Sequence, residues 1–358
     1  MEALIEALYA IPFLGVVFQF VGYVLEVLPN VAPIVLGLAT PIALGALCGL
    51  LNERSGIVNI GIEGMMITGA FMGFTVAAFL APSFPAEPTP LFGLTPPLII
   101  GVVAAVLSAM ALSLLHAWMS ITIKADQIIS GTIINIIALG LTAYLNQLIS
   151  RTSPASPGRL DKFDVPPGLV DLPVVGWIVE MFLRQGPIAM SVIIIVIVLQ
   201  VMLFRSRWGL RTRAVGEHPK AAETVGIDVI RLRYRNVMIG GIFAGLAGAY
   251  LSMEATTGFQ NGMTNGRGFI ALAALIFGRW TPVGALLAAL LFTASEALGT
   301  AISFGPPEGQ LGEVLTGIPS QVFSALPYLI TIIVLAGVVG RSVAPAAVGR
   351  PYEKEGTA

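Results

Sequence analysis

The sequence predicts an all-α polytopic membrane protein with about ten transmembrane segments, some of them short or broken. Three observations lead there. Only 11% of the 358 residues are charged, less than half of the roughly 25% usual in soluble domains. Mean hydropathy is +0.88, and 40 Gly with 24 Pro suit transmembrane helices better than soluble ones. Apolar runs near the ~20 residues that cross a ~30 Å hydrocarbon core recur along the chain.

Helices are expected at 8–28, 31–50, 61–80, 97–119, 127–149, 187–204, 237–253, 268–279, 281–300 and 322–340. Residues 8–28 contain Gln19 and Glu26, so they read either as a span or as a helix along the surface. Residues 1–30 are accordingly an N-terminal extension to the main transmembrane region, 31–341. Segment 268–279 would reach only ~18 Å at 1.5 Å per residue. It is either a short buried span or a re-entrant piece whose ends other protein must shield.

Direction follows from the basic residues. Eight of the 19 lysines and arginines lie between Arg205 and Arg235, which makes that loop cytoplasmic. Stepping outward through ten spans puts Arg54, Lys124, Arg279, Arg341, Arg350 and Lys354 on the same side, fourteen in all. Five remain outside: Arg151, Arg159, Lys162, Arg184 and Arg267. Both termini, including the tail 342–358, are therefore expected in the cytoplasm.

Several function classes drop out. A net charge of −1 leaves no basic surplus for nucleic acid. The single cysteine, Cys48, excludes a disulfide framework and a Cys-based zinc site. His116 and His218 form no H-E-x-x-H motif. The N-terminus lacks the basic start of a cleavable signal peptide, so insertion must use the chain's own apolar segments. No G-x-S-x-G elbow and no intramembrane Asp pair support an enzyme.

The loops differ in kind. Residues 81–97 carry six prolines, which favour stiff extended backbone. The 151–186 connection is neutral overall, with a short surface helix expected from Leu172 to Phe182. In the 205–235 loop, Pro219 suits a first helical position and KAAETVGI can form about two turns before Gly226 stops them. Orientation alone explains the arginines there. The embedded Glu217, Ala221, Ala222 and Gly226 are harder to dismiss, because small side chains on a short exposed helix invite another protein to pack closely.

Polar groups at membrane depth mark functional sites or buried pairs. Asn59 and Glu63 are four apart and would share a helix face, in a glycine-rich stretch that weakens the helix. Glu63 either borders a pathway or bonds a neighbouring helix or Arg54. Gln127, Ser130, Gly131 and Asn135 lie on one side of the 127–149 helix, with Asn146 three turns beyond Asn135. An amide there can read a nucleobase edge or ribose hydroxyl, or can join two helices. Glu254 and Glu296 read as outer-surface residues or gates, and Gly241, Gly245 and Gly248 as packing positions.

These residues resemble a known family. GLRTRAVGEHPKAAETVGI is similar to the coupling-loop signature of permeases of ATP-binding-cassette importers, in the branched-chain amino acid, simple sugar and nucleoside group. GLLNERSGIVNIGIEGMMITGAFMG, IKADQIISGTIINIIALGLTAYL, GRGFIALAALIFGRWTPVGALLAALLF and the tail GRSVAPAAVGRPY also resemble blocks of the nucleoside and simple-sugar permeases. The likeness runs over residues 33–352. It implies a type II-like importer fold in a bacterial plasma membrane, and a substrate pathway rather than an enzyme.

The same likeness implies partners: one or more ATPase subunits, a second and often different permease, and a lipid-anchored extracytoplasmic solute-binding protein. ATP and Mg would sit on the ATPases, because this chain has no G-x-x-x-x-G-K-[ST] phosphate loop and carries no cofactor of its own. Gly216, Glu217, Pro219, Ala221, Ala222 and Gly226 would form the contact that couples it to them. Asn59, Glu63, Gln127 and Asn135 would line the substrate route. Nucleosides are the expected cargo, with simple sugars or riboflavin as alternatives. An ion-driven secondary transporter explains the helices but not the 217–227 element.

Overall fold

A computed structural model of the chain describes residues 12–84, 92–152, 155–170, 176–307, 310–319, 322, 325 and 343–353. All regular structure among them is helical. Helix α1 (Pro12–Glu53) runs 42 residues. It is followed by α2 (Ile62–Leu80), α3 (Pro96–Ala117), α4 (Gln127–Ser150), α5 (Gly176–Leu183) and α6 (Pro187–Arg205). Next come α7 (Arg207–Glu217), α8 (Pro219–Thr224), α9 (Val229–Ala249), α10 (Arg267–Phe277), α11 (Pro282–Phe304) and α12 (Gln310–Thr316).

Seven helices among the described residues are long and apolar enough to cross a membrane, against the ten segments expected. The difference has three sources. The expected 8–28 and 31–50 segments are one continuous helix from Pro12, carried through Pro29, Pro33 and Pro41. Each proline removes a single N–H donor, and membrane helices tolerate that where neighbours re-satisfy the freed groups. The 268–279 segment is the 11-residue α10, an apolar helix shorter than those seven. The 322–340 segment lies almost entirely outside the described residues. Likewise, α5 covers the later part of the expected 172–182 helix, and residues 171–175 before it are outside the description. The chain is a multi-pass membrane protein.

Local chemistry sets the helix starts. Asp126 accepts from the N–H groups of Ile128 and Ile129 at 2.8 and 3.0 Å, Ser206 from that of Gly209 at 3.1 Å, and Asp228 from that of Arg231 at 2.9 Å. Each satisfies a donor that the first helical turn leaves orphaned. Pro96 and Pro187 occupy first positions, where the missing N–H costs nothing.

The chain divides into two compact units, 1–38 with 164–184 and 290–340, and 39–163 with 185–289 and 341–358. In the first, Tyr23 donates to the Gly305 carbonyl at 2.8 Å and packs with Ile302, Val27, Leu298, Leu315 and Ile318. In the second, α2, α3 and α9 are tightly packed. A Cβ added at Gly245 would lie 2.6 Å from the Val106 Cα, and one at Gly69 3.1 Å from the Gly245 Cα. Small residues let these backbones approach, so Gly241, Gly245 and Gly248 are packing positions. Every candidate site residue belongs to this second unit.

Candidate functional site

Between α1 and α2 the chain leaves the helical conformation for eight residues, 54–61. Gly56 turns the chain at φ +91°, a conformation that glycine adopts without a Cβ penalty. Buried non-helical backbone must find hydrogen bonds in protein, and here it does. The Val58 N–H donates to Gln127 Oε1 at 2.7 Å. The Val58 carbonyl accepts from His116 Nε2 at 2.9 Å, and His116 Nδ1 lies 3.0 Å from Ser130 Oγ. A neutral imidazole with its proton on Nε2 satisfies both contacts.

Asn135 closes the far side of the break. Its Nδ2 donates to the Ile60 carbonyl at 2.9 Å, and its Oδ1 accepts from the Gly64 N–H at 2.7 Å. Gly64 must be small, because a Cβ there would lie 2.9 Å from the Asn135 Cα. Asn59 is fully buried and accepts from the Gly61 N–H at 2.9 Å. It therefore precedes α2 instead of sharing a helix face with Glu63, contrary to the four-residue spacing. The glycine-rich stretch breaks the helix before that spacing can act.

Among the described residues Glu63 bonds backbone groups and not Arg54. Its two oxygens accept from the N–H groups of Gly266 and Gly268 at 2.8 and 2.7 Å, at the N-terminus of α10. A carboxylate is favoured there by the orphan donors and the helix dipole. Glu254, expected as an outer-surface residue or a gate, is buried. It accepts from Ile188 and Ala189 at 2.7 and 3.1 Å, at the start of α6. Neither buried carboxylate needs a basic partner, because a helix end supplies its hydrogen bonds. Asn146 points away from this cluster and donates to Asn261 Oδ1 at 3.0 Å.

The second cluster lies in the 205–235 loop. α7 and α8 meet at His218, Pro219 starts α8, and Gly226 ends it at φ +84°. Ala222 is buried among Val215, Val229, Leu232 and Tyr352. Ala221 and Gly226 are exposed, and Val225 is 74% exposed. Gly216 packs on the Arg54 carbonyl so closely that any Cβ would collide. Burial holds the Arg54 guanidinium below its ordinary pKa, while Glu217 raises it and Arg213 lowers it further.

Four participants are absent from the expected set. Ser130 shares the polar side of its helix but is not among the expected pathway residues, and His116 has no partner visible in one dimension. Arg233 reads as one of the orientation-setting arginines, yet it is 1% exposed. It donates from Nε to the Ser55 carbonyl at 3.0 Å and from Nη1 to the Arg350 carbonyl at 3.3 Å. The tail is the fourth. The Ala347 N–H donates to the Gly216 carbonyl at 2.9 Å and the Gly349 N–H to that of Gly56 at 3.2 Å. The Ala346 N–H reaches Glu217 Oε2 at 3.1 Å.

Chemically, the two clusters offer shape, fixed amides and an exposed contact helix. Among the described residues no group of three His, Cys, Asp or Glu side chains is placed to hold a metal.

Residues 32–335 match the family described as the branched-chain amino acid transport system permease component. The chain is 38% identical to the guanosine ABC transporter permease protein NupQ of Bacillus subtilis, over 92% of this chain and 98% of that one. It is 35% identical to the nucleoside ABC transporter permease protein NupC of Lactococcus lactis, over 88% and 94%. It is also 35% identical to a putative glucose ABC transporter permease protein of Haloferax volcanii, over 88% and 95%. No solved structure matches.

Proposed function

We infer that this chain, which belongs to the branched-chain amino acid transport system permease component family, carries nucleosides inward across a bacterial plasma membrane. It does so as the permease subunit of an ATP-binding-cassette importer. Its relatives with guanosine and nucleoside in their names support that cargo over the sugar alternative. ATP and Mg bind on partner ATPase subunits, a second permease completes the pathway, and an extracytoplasmic lipoprotein delivers the solute. The basic loop and the C-terminal tail packed against it face the cytoplasm, as the distribution of lysine and arginine favours.

One observation carries the mechanism. The exposed helix α8 is held at both ends by residues that also touch the break in the membrane helices. Gly216 on α7 abuts Arg54, and Arg233 on α9 bonds Ser55. When ATP closes the ATPases, force on Ala221, Val225 and Gly226 has a short packed route to residues 54–61. ATP drives the change because it favours the closed state of its own subunits; a ligand equal for both states would move nothing.

At the pathway, Asn59, Glu63 and Asn135 act by holding the break in shape. Gln127 keeps its Nε2 without a partner among the described residues, and that amide is the donor best placed to meet a passing solute. A nucleoside is uncharged, so such a neutral donor suits it without the cost of burying an ion.

The test is reconstitution with the ATPase, the second permease and the solute-binding lipoprotein. Labelled guanosine should accumulate only with ATP, and competition should rank nucleosides above glucose and riboflavin. Uptake blocked by glucose but not by guanosine would reject the cargo. Guanosine uptake that proceeds unchanged with Glu217→Ala and Gly226→Val would reject the coupling contact.

A further inference from the structure

Chain termini usually fray unless something ties them down. Residues 343–353 have no helix or strand, yet Pro345, Ala347 and Tyr352 are buried, and the segment is fastened at four separate places. At the coupling loop, it donates to the Gly216 carbonyl and to Glu217, and the Tyr352 hydroxyl bonds Glu223 on α8. At the membrane break, Gly349 donates to Gly56. At α9, the Arg350 carbonyl accepts from Arg233, whose guanidinium stands 5.8 Å from the Tyr352 ring centroid. At the turn before α4, Glu353 pairs with Lys124 at 3.3 Å.

The burial is selective. Tyr352 seats its ring in the apolar cluster under α8, beside Ala222 and Val215, and its hydroxyl reaches the same short helix. Among the described residues the Arg233 guanidinium has no carboxylate partner. Its Nε and Nη1 donate to the carbonyls of Ser55 and Arg350, one from the break and one from the tail, while Nη2 has no partner there. A buried cation held only by backbone acceptors fixes the position of both. Without the tail, Arg233 would lose a carbonyl and a ring, and Gly56 would lose its bond to Gly349.

We propose that residues 345–353 are a positioning strap, with Tyr352 and Arg233 at its centre, that transmits movement of α8 to the break at 54–61. This rests on the importer reading above and adds an element to it. Coupling between sites is carried by packed elements that move as a body, and the strap makes one body of the coupling helix, the Gly56 turn and the base of α9. ATP hydrolysis does not need it, because the strap leaves the exposed face of Ala221, Val225 and Gly226 uncovered. Productive transport does.

The experiment uses the complete transporter in proteoliposomes, reading guanosine uptake and ATP hydrolysis on the same preparation. The variants are Tyr352→Ala, Tyr352→Phe and a chain ending at Ser342. Tyr352→Ala and the shortened chain should lose about tenfold in uptake while hydrolysis stays within about twofold, so that ATP is spent without transport. Tyr352→Phe keeps the ring against Arg233 and should retain most uptake. Unchanged uptake with Tyr352→Ala overturns the strap, as does a parallel fall of uptake and hydrolysis in that variant. If the shortened chain fails to assemble, the two Tyr352 variants decide alone. Failure of the unmodified transporter to take up guanosine with ATP would instead reject the importer reading, and that is visible before any variant is made.

Discussion

Two interruptions of the long helices in the second unit, the connection 54–61 and the 218–228 segment around α8, are built in opposite ways. The first is buried, and side chains from α3 and α4 take up its backbone groups: His116, Gln127 and Asn135 serve Val58, Ile60 and Gly64. The second is largely solvent-facing and provides for itself, through Pro219, Gly226 and the Asp228 cap. Burial demands partners from elsewhere in the fold, whereas exposure lets water serve. The membrane break is therefore a rigid node, and the loop is a handle that another protein can grip.

Variants should separate the two regions by what they damage. Gly64→Leu places side-chain atoms against the Asn135 backbone, 2.9 Å from its Cα already at Cβ. Overpacking of this kind costs up to ~3 kcal/mol, and the yield of folded protein in detergent should collapse. Asn135→Leu strands the Gly64 N–H and the Ile60 carbonyl, a loss of about 2 kcal/mol that should appear as a lowered Tm with partly retained transport. At the handle the order reverses. Glu217→Ala removes one exposed bond to the tail, worth about 1 kcal/mol or less, yet guanosine uptake should be lost. Val225→Asp, at a side chain that is 74% exposed, should leave stability within about 0.5 kcal/mol of wild type, with Tm nearly unchanged, and weaken ATPase co-purification. A large Tm loss at Val225 or none at Gly64 would break the distinction.

The two regions were also unequally legible from the residues. Pro219 and Gly226 announce the short helix because proline and glycine act locally, and the structure places them at its first turn and just past its end. Apolar runs likewise locate most spans. The node was legible only as polar residues at depth. Gln127, Asn135 and Glu63 are buried, but their partners are backbone groups of Val58, Ile60, Gly64, Gly266 and Gly268. Backbone donors look the same at every position of a sequence, so no side-chain pattern identifies them. The same reason hid Arg233, whose acceptors are carbonyls, and the tail, whose attachments are mostly main-chain. Helix counting failed at Pro29 and Pro33, where local punctuation suggested a boundary and the long α1 runs through.

That this chain is a conduit moved by an external motor through α8 is tested most directly by uptake into proteoliposomes holding this permease, its partner permease and the solute-binding protein, with the ATPase present or omitted. Guanosine should accumulate against its gradient only when both ATPase and ATP are supplied, and a sodium or proton gradient should add nothing. Accumulation driven by either ion gradient without the ATPase would contradict the account.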